Sequence, residues 1–183
     1  MAVSLFCNRL VYVWDLTGNF PLFSFTMKVV LVLIGKTDEA YLETGIRKYL
    51  DRLKHYIPFE MKIIPDLKNT KNLREDQQKN KEGELILQQL QAGDEVVLLD
   101  EGGKAFSSRE FSGFIEQKSL RGLKRLVFVI GGPYGFSKEV YSKANGKVSL
   151  SRMTFSHQMI RLIFTEQLYR AMTILKNQPY HHD

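Results

Sequence analysis

Three segments of this 183-residue chain hold residues suited to gripping a small ligand. They read Leu99-Asp100-Glu101-Gly102-Gly103-Lys104, Ile130-Gly131-Gly132-Pro133-Tyr134-Gly135, and Leu150-Ser151-Arg152-Met153-Thr154-Phe155, the last running into Ser156-His157-Gln158. Each follows a run that its patterning assigns to a β-strand, and in open α/β sheets ligands sit beyond the carboxyl ends of the strands. Glycine lets backbone approach a ligand closely, or take positive φ. A glycine pair by itself marks a turn; three such loops in one small sheet protein point to a pocket. Proton-transfer or anion-stabilising groups follow: His157, Arg161 one helical turn later, and Tyr180 and His181 near the chain end. His157 reads equally as a structural histidine opening a helix, and Arg161 as a phosphate ligand or a partner of Glu166. A terminal Pro179-Tyr180-His181 suits docking on a partner or on RNA better than core packing.

Other chemistries lack their residues. There is no G-x-x-x-x-G-K-S/T phosphate loop, no G-x-G-x-x-G after the first strand, and no H-E-x-x-H. The four histidines are His55, His157, His181 and His182, and two adjacent ligands at a chain end make a poor metal site, so no metal is expected. Cys7 is the single cysteine, which excludes an internal disulfide and any C-x-x-C pair. That Ser156 and His157 are sequence neighbours says nothing of a nucleophile–base pair in space.

The elements that must position these loops come from periodicity. Residues 29–34 and 126–130 are unbroken apolar runs, as expected of strands buried on both faces. Residues 59–64 and 95–99 read as further strands, and 147–150 as a short one. Leu42, Ile46, Tyr49, Leu50 and Leu53 recur at helical spacing. Residues 66–84 are densely polar and read as a solvated loop and helix start, continued by the apolar residues 85–90. Helices are expected over 108–117, with Ser107 or Ser108 as N-cap, over 138–143, and from about 157 to 175. Strands alternating with helices predict an α/β fold, a mostly parallel sheet with helices on both faces.

Residues 1–26 look foreign to this pattern. They hold six aromatic residues and the only tryptophan, and Arg9 cancels Asp15, so the net charge of +6 belongs to 27–183. Asn8, Arg9 and Asp15 break the apolar stretch that a signal peptide needs, and no run of about 20 apolar residues exists for a membrane span. Met27 begins a typical first strand. The expectation is a single domain over 27–183, preceded in 1–26 by an upstream extension or a disordered segment, with a strand docked on the domain as the alternative. Lys104, Lys118, Arg121, Lys124 and Arg125 are candidates for a basic surface toward a polyanion, or ordinary solvated charge.

Residues 127–135 (V-F-V-I-G-G-P-x-G), 151–171 (S-x-M-T-F-x-H-Q-x-x-R-x-x-x-x-E-Q-x-Y-R-A) and the terminal P-Y-H of 179–181 together resemble the ribosomal RNA large-subunit methyltransferase H family, of the SPOUT superfamily. The resemblance extends over 27–183, including the opening M-K-V-x-x-x-x-x-G-K, and stops short of the first 26 residues. It implies a cytoplasmic homodimer that uses S-adenosyl-L-methionine to methylate N3 of a pseudouridine in 23S rRNA, on the ribosome and without membrane or metal. It also implies a C-terminal trefoil knot whose loops hold the cofactor. Leu99 would pack on the cofactor, Gly131 approach it through its backbone, and Leu150, Ser151, Arg152, Met153, Thr154 and Phe155 wrap its adenine and methionine parts. His157, Arg161, Tyr180 and His181 would serve the acceptor, each site lying near the partner's C-terminal tail. Ser156 stands where the family commonly has proline, and His182 where a basic residue is common. A ribosome-associated module without catalysis, an enzyme for transfer RNA, and a protein anchored to a membrane through residues 1–26 are the competing readings.

Overall fold

The computed structural model describes residues 4–7, 10–13, 22–23, 26–68, 70 and 73–180. Three short antiparallel strands, β1 (Ser4–Cys7), β2 (Leu10–Val13) and β3 (Leu22–Phe23), form a sheet of their own in the order β1-β2-β3. The main domain follows as β4 (Lys28–Ile34), α1 (Ala40–Leu53), β5 (Phe59–Ile64), α2 (Glu75–Leu87), β6 (Glu95–Ala105), α3 (Ser108–Leu120), β7 (Arg125–Ile130), α4 (Lys138–Lys143), β8 (Gly146–Ser149) and α5 (Met159–Leu175). Its five strands are parallel and ordered β5-β4-β7-β6-β8.

The apolar runs explain this arrangement. Strand side chains alternate between faces. Val29, Leu31 and Leu33 of β4, with Leu126, Phe128 and Ile130 of β7, enter a core shared with Leu53, Phe111, Ile115, Phe164 and Leu168 of α1, α3 and α5. Val30, Val32, Val127 and Val129 point the other way, onto Ile86 of α2, Val140 of α4 and Phe136. The sheet is therefore covered on both faces, as the sequence predicts. Phe128 sits at the middle of the larger core, 4.8 Å from the Phe164 ring and edge-on to Phe111 and Phe114. Truncating such a buried ring costs about 3–5 kcal/mol.

Strand β6 runs past its expected end at residue 99. Leu99 pairs with Ile130 of β7 and Val148 of β8; the register then slips, and Lys104 and Ala105 pair again with Val148 and Ser149. Asp100 Oδ1 accepts the Gly102 N–H at 2.8 Å across the irregularity. At Gly103 the chain passes against the backbone of β8: a Cβ there would lie 2.6 Å from the Val148 nitrogen and 2.7 Å from the carbonyl carbons of Lys147 and Val148. Glycine is needed because two main chains meet with nothing between them. The Gly102-Gly103 pair, which reads as a turn, lies within β6 at its slip against β8.

Helix α3 starts on a reciprocal cap. Ser107 Oγ accepts the Glu110 N–H at 3.2 Å and Glu110 Oε2 accepts the Ser107 N–H at 2.7 Å. Helix α5 begins at Met159, two residues later than expected, because Ser156 Oγ accepts the Met159 N–H at 3.1 Å and holds the preceding residues outside it.

Candidate active site

Strands β7 and β8 end beside the register slip of β6, and the three segments that meet there enclose a cavity of about 790 Å³. Small-molecule sites occupy roughly 300–1,000 Å³. Leu99, Asp100, Glu101 and Gly102 form one wall, residues 130–136 a second, and residues 148–151 and 153–157 a third, with Tyr141 and Ile160 closing the ends. The three loops read from the sequence as one ligand site thus meet at one place.

Local hydrogen bonds fix each wall. Gly135 N–H donates to the Gly132 carbonyl at 3.1 Å, making a tight turn with Pro133 and Tyr134 at its apex and Gly135 at φ 79°. Ser149 Oγ donates to the Ser151 carbonyl at 2.7 Å, and Ser151 Oγ accepts the Met153 N–H at 2.9 Å. Thr154 Oγ1 donates to Glu101 Oε2 at 3.4 Å, tying the third wall to the first. Tyr141 Oη donates to Asp100 Oδ2 at 2.5 Å. Partial burial, the bond to Asp100 and the nearby Glu101 push the Tyr141 phenol up to about 12, so it stays protonated and neutral.

The candidate residues are distributed as follows. Leu99, Gly131, Leu150, Ser151, Met153, Thr154, Phe155 and His157 line the cavity, and Arg152 is exposed beside it. At Gly131 a Cβ would meet the Gly135 oxygen at 3.1 Å and Phe136 Cε1 at 3.2 Å. Arg161 neither lines the cavity nor pairs with Glu166. It is buried, and its guanidinium donates to the Ile34 carbonyl at 2.6 Å, Thr37 Oγ1 at 3.0 Å and the His157 carbonyl at 3.0 Å. Burial pulls its pKa down, and Asp66 and Asp38 partly restore it. Arg161 therefore joins the end of β4 to the residue that carries His157. Glu166 pairs instead with Arg170 at 2.6 Å.

Tyr180 lies on the α1–α5 face of its own chain. It donates to Glu166 Oε1 at 3.2 Å, stands 3.3 Å from Tyr49 Oη, and packs edge-on to Tyr169 at 4.8 Å. Burial first, then Tyr49 and Glu166, raise its pKa far above the ordinary phenol value. His181 lies outside the described residues. Two candidates for a basic surface are committed elsewhere: Lys118 pairs with Glu95, and Arg125 approaches Asp94 at 3.3 Å with its side chain largely covered. Arg125 opens β7, whose six residues at about 3.3 Å each separate it from the cavity.

Sequence reasoning missed Tyr141 and Glu82. Tyr141 rides a six-residue helix, and only its place after the glycine loop hints at a role. Glu82 is buried in α2, its Oε1 accepting Gln78 Nε2 at 2.8 Å and its Oε2 without a partner. A Cβ on Gly132 would come within 2.7 Å of the Glu82 carboxyl carbon, so this carboxyl supports the glycine loop from behind. Burial, and then Asp66, push its pKa up. Among the described residues no helix is long and apolar enough to cross a membrane, and no group of three or more metal-ligating side chains forms.

A family model described as "Predicted SPOUT methyltransferase" matches residues 27–181. Curated relatives match the same part of the chain. The "Ribosomal RNA large subunit methyltransferase H" of Christiangramia forsetii is 68% identical over 156 residues, 85% of this chain and 99% of the relative. Proteins of the same name from Parabacteroides distasonis and Flavobacterium johnsoniae are 65% and 62% identical, over 86% and 85% of this chain and 100% and 99% of their own lengths.

Proposed function

Given that the chain belongs to the SPOUT methyltransferase family, we propose that it transfers a methyl group from S-adenosyl-L-methionine to N3 of a pseudouridine in 23S rRNA. The observation that carries this is the meeting of three segments around one cavity, in a chain of which 85–86% is similar to almost the whole length of relatives named for ribosomal RNA methylation. We place the activity in residues 27–183, in the cytoplasm, on the assembled ribosome.

The cavity suits the donor. Leu99, Ile130, Leu150, Phe155 and Ile160 offer apolar surface for a purine, Gly131 offers backbone without a side chain, and Asp100 and Glu101 put negative charge near a cationic ligand. When bound, S-adenosyl-L-methionine supplies a methyl group on a sulfonium, a strong leaving group. The protein's task is then alignment, which can account for much of the rate. The loop hydrogen bonds around Ser149, Ser151 and Thr154 hold the walls in place for it. The acceptor N3–H must also lose a proton. Among the described residues, His157 is the candidate base that lines its own chain's cavity, and Arg161 holds its backbone. Arg161 is thus a positioning residue. Tyr180, neutral and docked on its own α1–α5 face, cannot serve the same chain's cavity from there. In a homodimer we assign Tyr180 and His181 to the partner's acceptor side.

The test incubates the full chain and residues 27–183 with methyl-labelled S-adenosyl-L-methionine and ribosomes lacking the modification. Equal labelling of 23S rRNA by both proteins is expected. Binding of the donor without labelling of 23S rRNA would overturn the substrate, and labelling by the full chain alone would overturn the assignment to 27–183.

A further inference from the structure

Among the described residues of the main domain, six large apolar side chains stand exposed, and three of them, Tyr134, Tyr141 and Met153, line the cavity described above. They are not equivalent. The Tyr141 ring packs edge-on to Phe136 at 5.7 Å, carries Lys147 Nζ over its face at 5.6 Å, and its hydroxyl is bonded to Asp100. Structural packing explains it. Tyr134 has no ring, cation or hydrogen-bond partner among the described residues, and 44% of its surface is open. Yet its backbone sits in a closed turn. Pro133 fixes one dihedral, the Gly132–Gly135 hydrogen bond closes the turn, and Gly135 supplies the positive φ. Glu82 supports the turn from behind, through Gly132.

An aromatic ring at the apex of a braced turn loses little entropy when it stacks, because only two side-chain dihedrals remain to be fixed. Proteins that act on a nucleobase take it out of its stack and hold it against aromatic or apolar side chains. Building on the methyl-transfer reading, we propose that Tyr134 is the stacking platform for the target nucleobase, the face that holds the extruded base beside the glycine loop. Met153, 75% exposed, borders the same opening and provides a second apolar contact.

The test compares full-length wild type, Tyr134→Phe and Tyr134→Ala. Methyl transfer to unmodified ribosomes gives KM and kcat, calorimetry gives the affinity for S-adenosylhomocysteine, and fluorescence anisotropy gives binding of a uridine-rich single-stranded oligoribonucleotide. Tyr134→Ala is expected to raise KM for ribosomes and weaken oligoribonucleotide binding by roughly 5- to 150-fold, the range of base–aromatic stacking. Tyr134→Phe keeps the ring and should match wild type, and S-adenosylhomocysteine affinity should stay constant across all three. A fall in that affinity on Tyr134→Ala would assign the ring to the donor side and overturn the proposal. Unchanged KM and oligoribonucleotide binding would overturn it as well. If wild type itself transfers no methyl group to rRNA, the functional reading fails, while the oligoribonucleotide comparison still decides the platform.

Discussion

Replacing Gly103 by alanine places a methyl group where two main chains touch. The new Cβ would lie 2.6 Å from the Val148 nitrogen and 2.7 Å from two carbonyl carbons, closer than real Cβ atoms come. No rotamer change relieves this, because every atom it meets is backbone. Val148 cannot retreat easily, being paired both with Leu99 and with Lys104. Overpacking of this kind costs about 1–3 kcal/mol when side chains yield, and the upper end applies where backbone must move. Gly113 is the internal control. It lies inside α3 with nothing within 4 Å of a built Cβ, so alanine there should stabilise by about 0.5–1 kcal/mol through helix propensity. The two variants make the same chemical change and should differ by about 3–4 kcal/mol, in opposite directions from wild type. Guanidinium unfolding followed by circular dichroism measures this, with the slope checked for constancy. The contact also fixes the slip of β6 that follows Leu99 at the cavity wall, so Gly103→Ala should lose donor affinity as well. A Gly103→Ala protein as stable as Gly113→Ala would refute the close main-chain contact between β6 and β8.

Three further expectations rest on single sites. Gly131→Val should abolish S-adenosyl-L-methionine binding while leaving the sheet folded, because a branched side chain meets the Gly135 carbonyl and Phe136 at the cavity wall; wild-type affinity by calorimetry would refute it. Glu82 is held above the ordinary carboxylate range by burial, so the folded state binds its proton more tightly than the unfolded chain does. Its contribution is full at pH below the unfolded value and is lost as pH rises through the folded one. Glu82→Gln, neutral throughout, should therefore gain stability over wild type as pH rises above the ordinary carboxylate range, and a pH-independent difference in denaturation midpoint would contradict this. Arg161→Lys keeps the charge but cannot reproduce the fork onto Ile34, Thr37 and His157. It should cost about 2 kcal/mol in denaturant unfolding, and wild-type stability would show that the three bonds contribute little.

Much of the fold is written in local pattern. The unbroken apolar runs of β4 and β7 declare strands buried on both faces, and β5 and α4 fall on the residues that periodicity marks. The segments after β7 and β8 are legible for the same reason: a parallel sheet puts its exits on one edge, where they meet the slip of β6. What escapes the sequence depends on contacts between distant residues. The extension of β6 beyond Leu99 follows from renewed pairing with Val148, and a glycine pair gives no sign of it. Arg161 spends its guanidinium on Thr37 and Ile34, which lie 124 and 127 residues away in sequence, while the nearer Glu166 takes Arg170. Tyr180 finds Tyr49 across 131 residues, and Lys118 and Arg125 find acids at the opposite end of the sheet. Charge and helical spacing alone do not reveal such partners.

The most direct measurement is to locate the transferred methyl group. Unmodified ribosomes would be treated with the full-length protein and S-adenosyl-L-methionine, the 23S rRNA digested, and the nucleosides resolved by mass spectrometry. A single new methylated pseudouridine, with the methyl on N3, is the expected result. A methyl group on another base, on ribose, or on no nucleoside of 23S rRNA would contradict it.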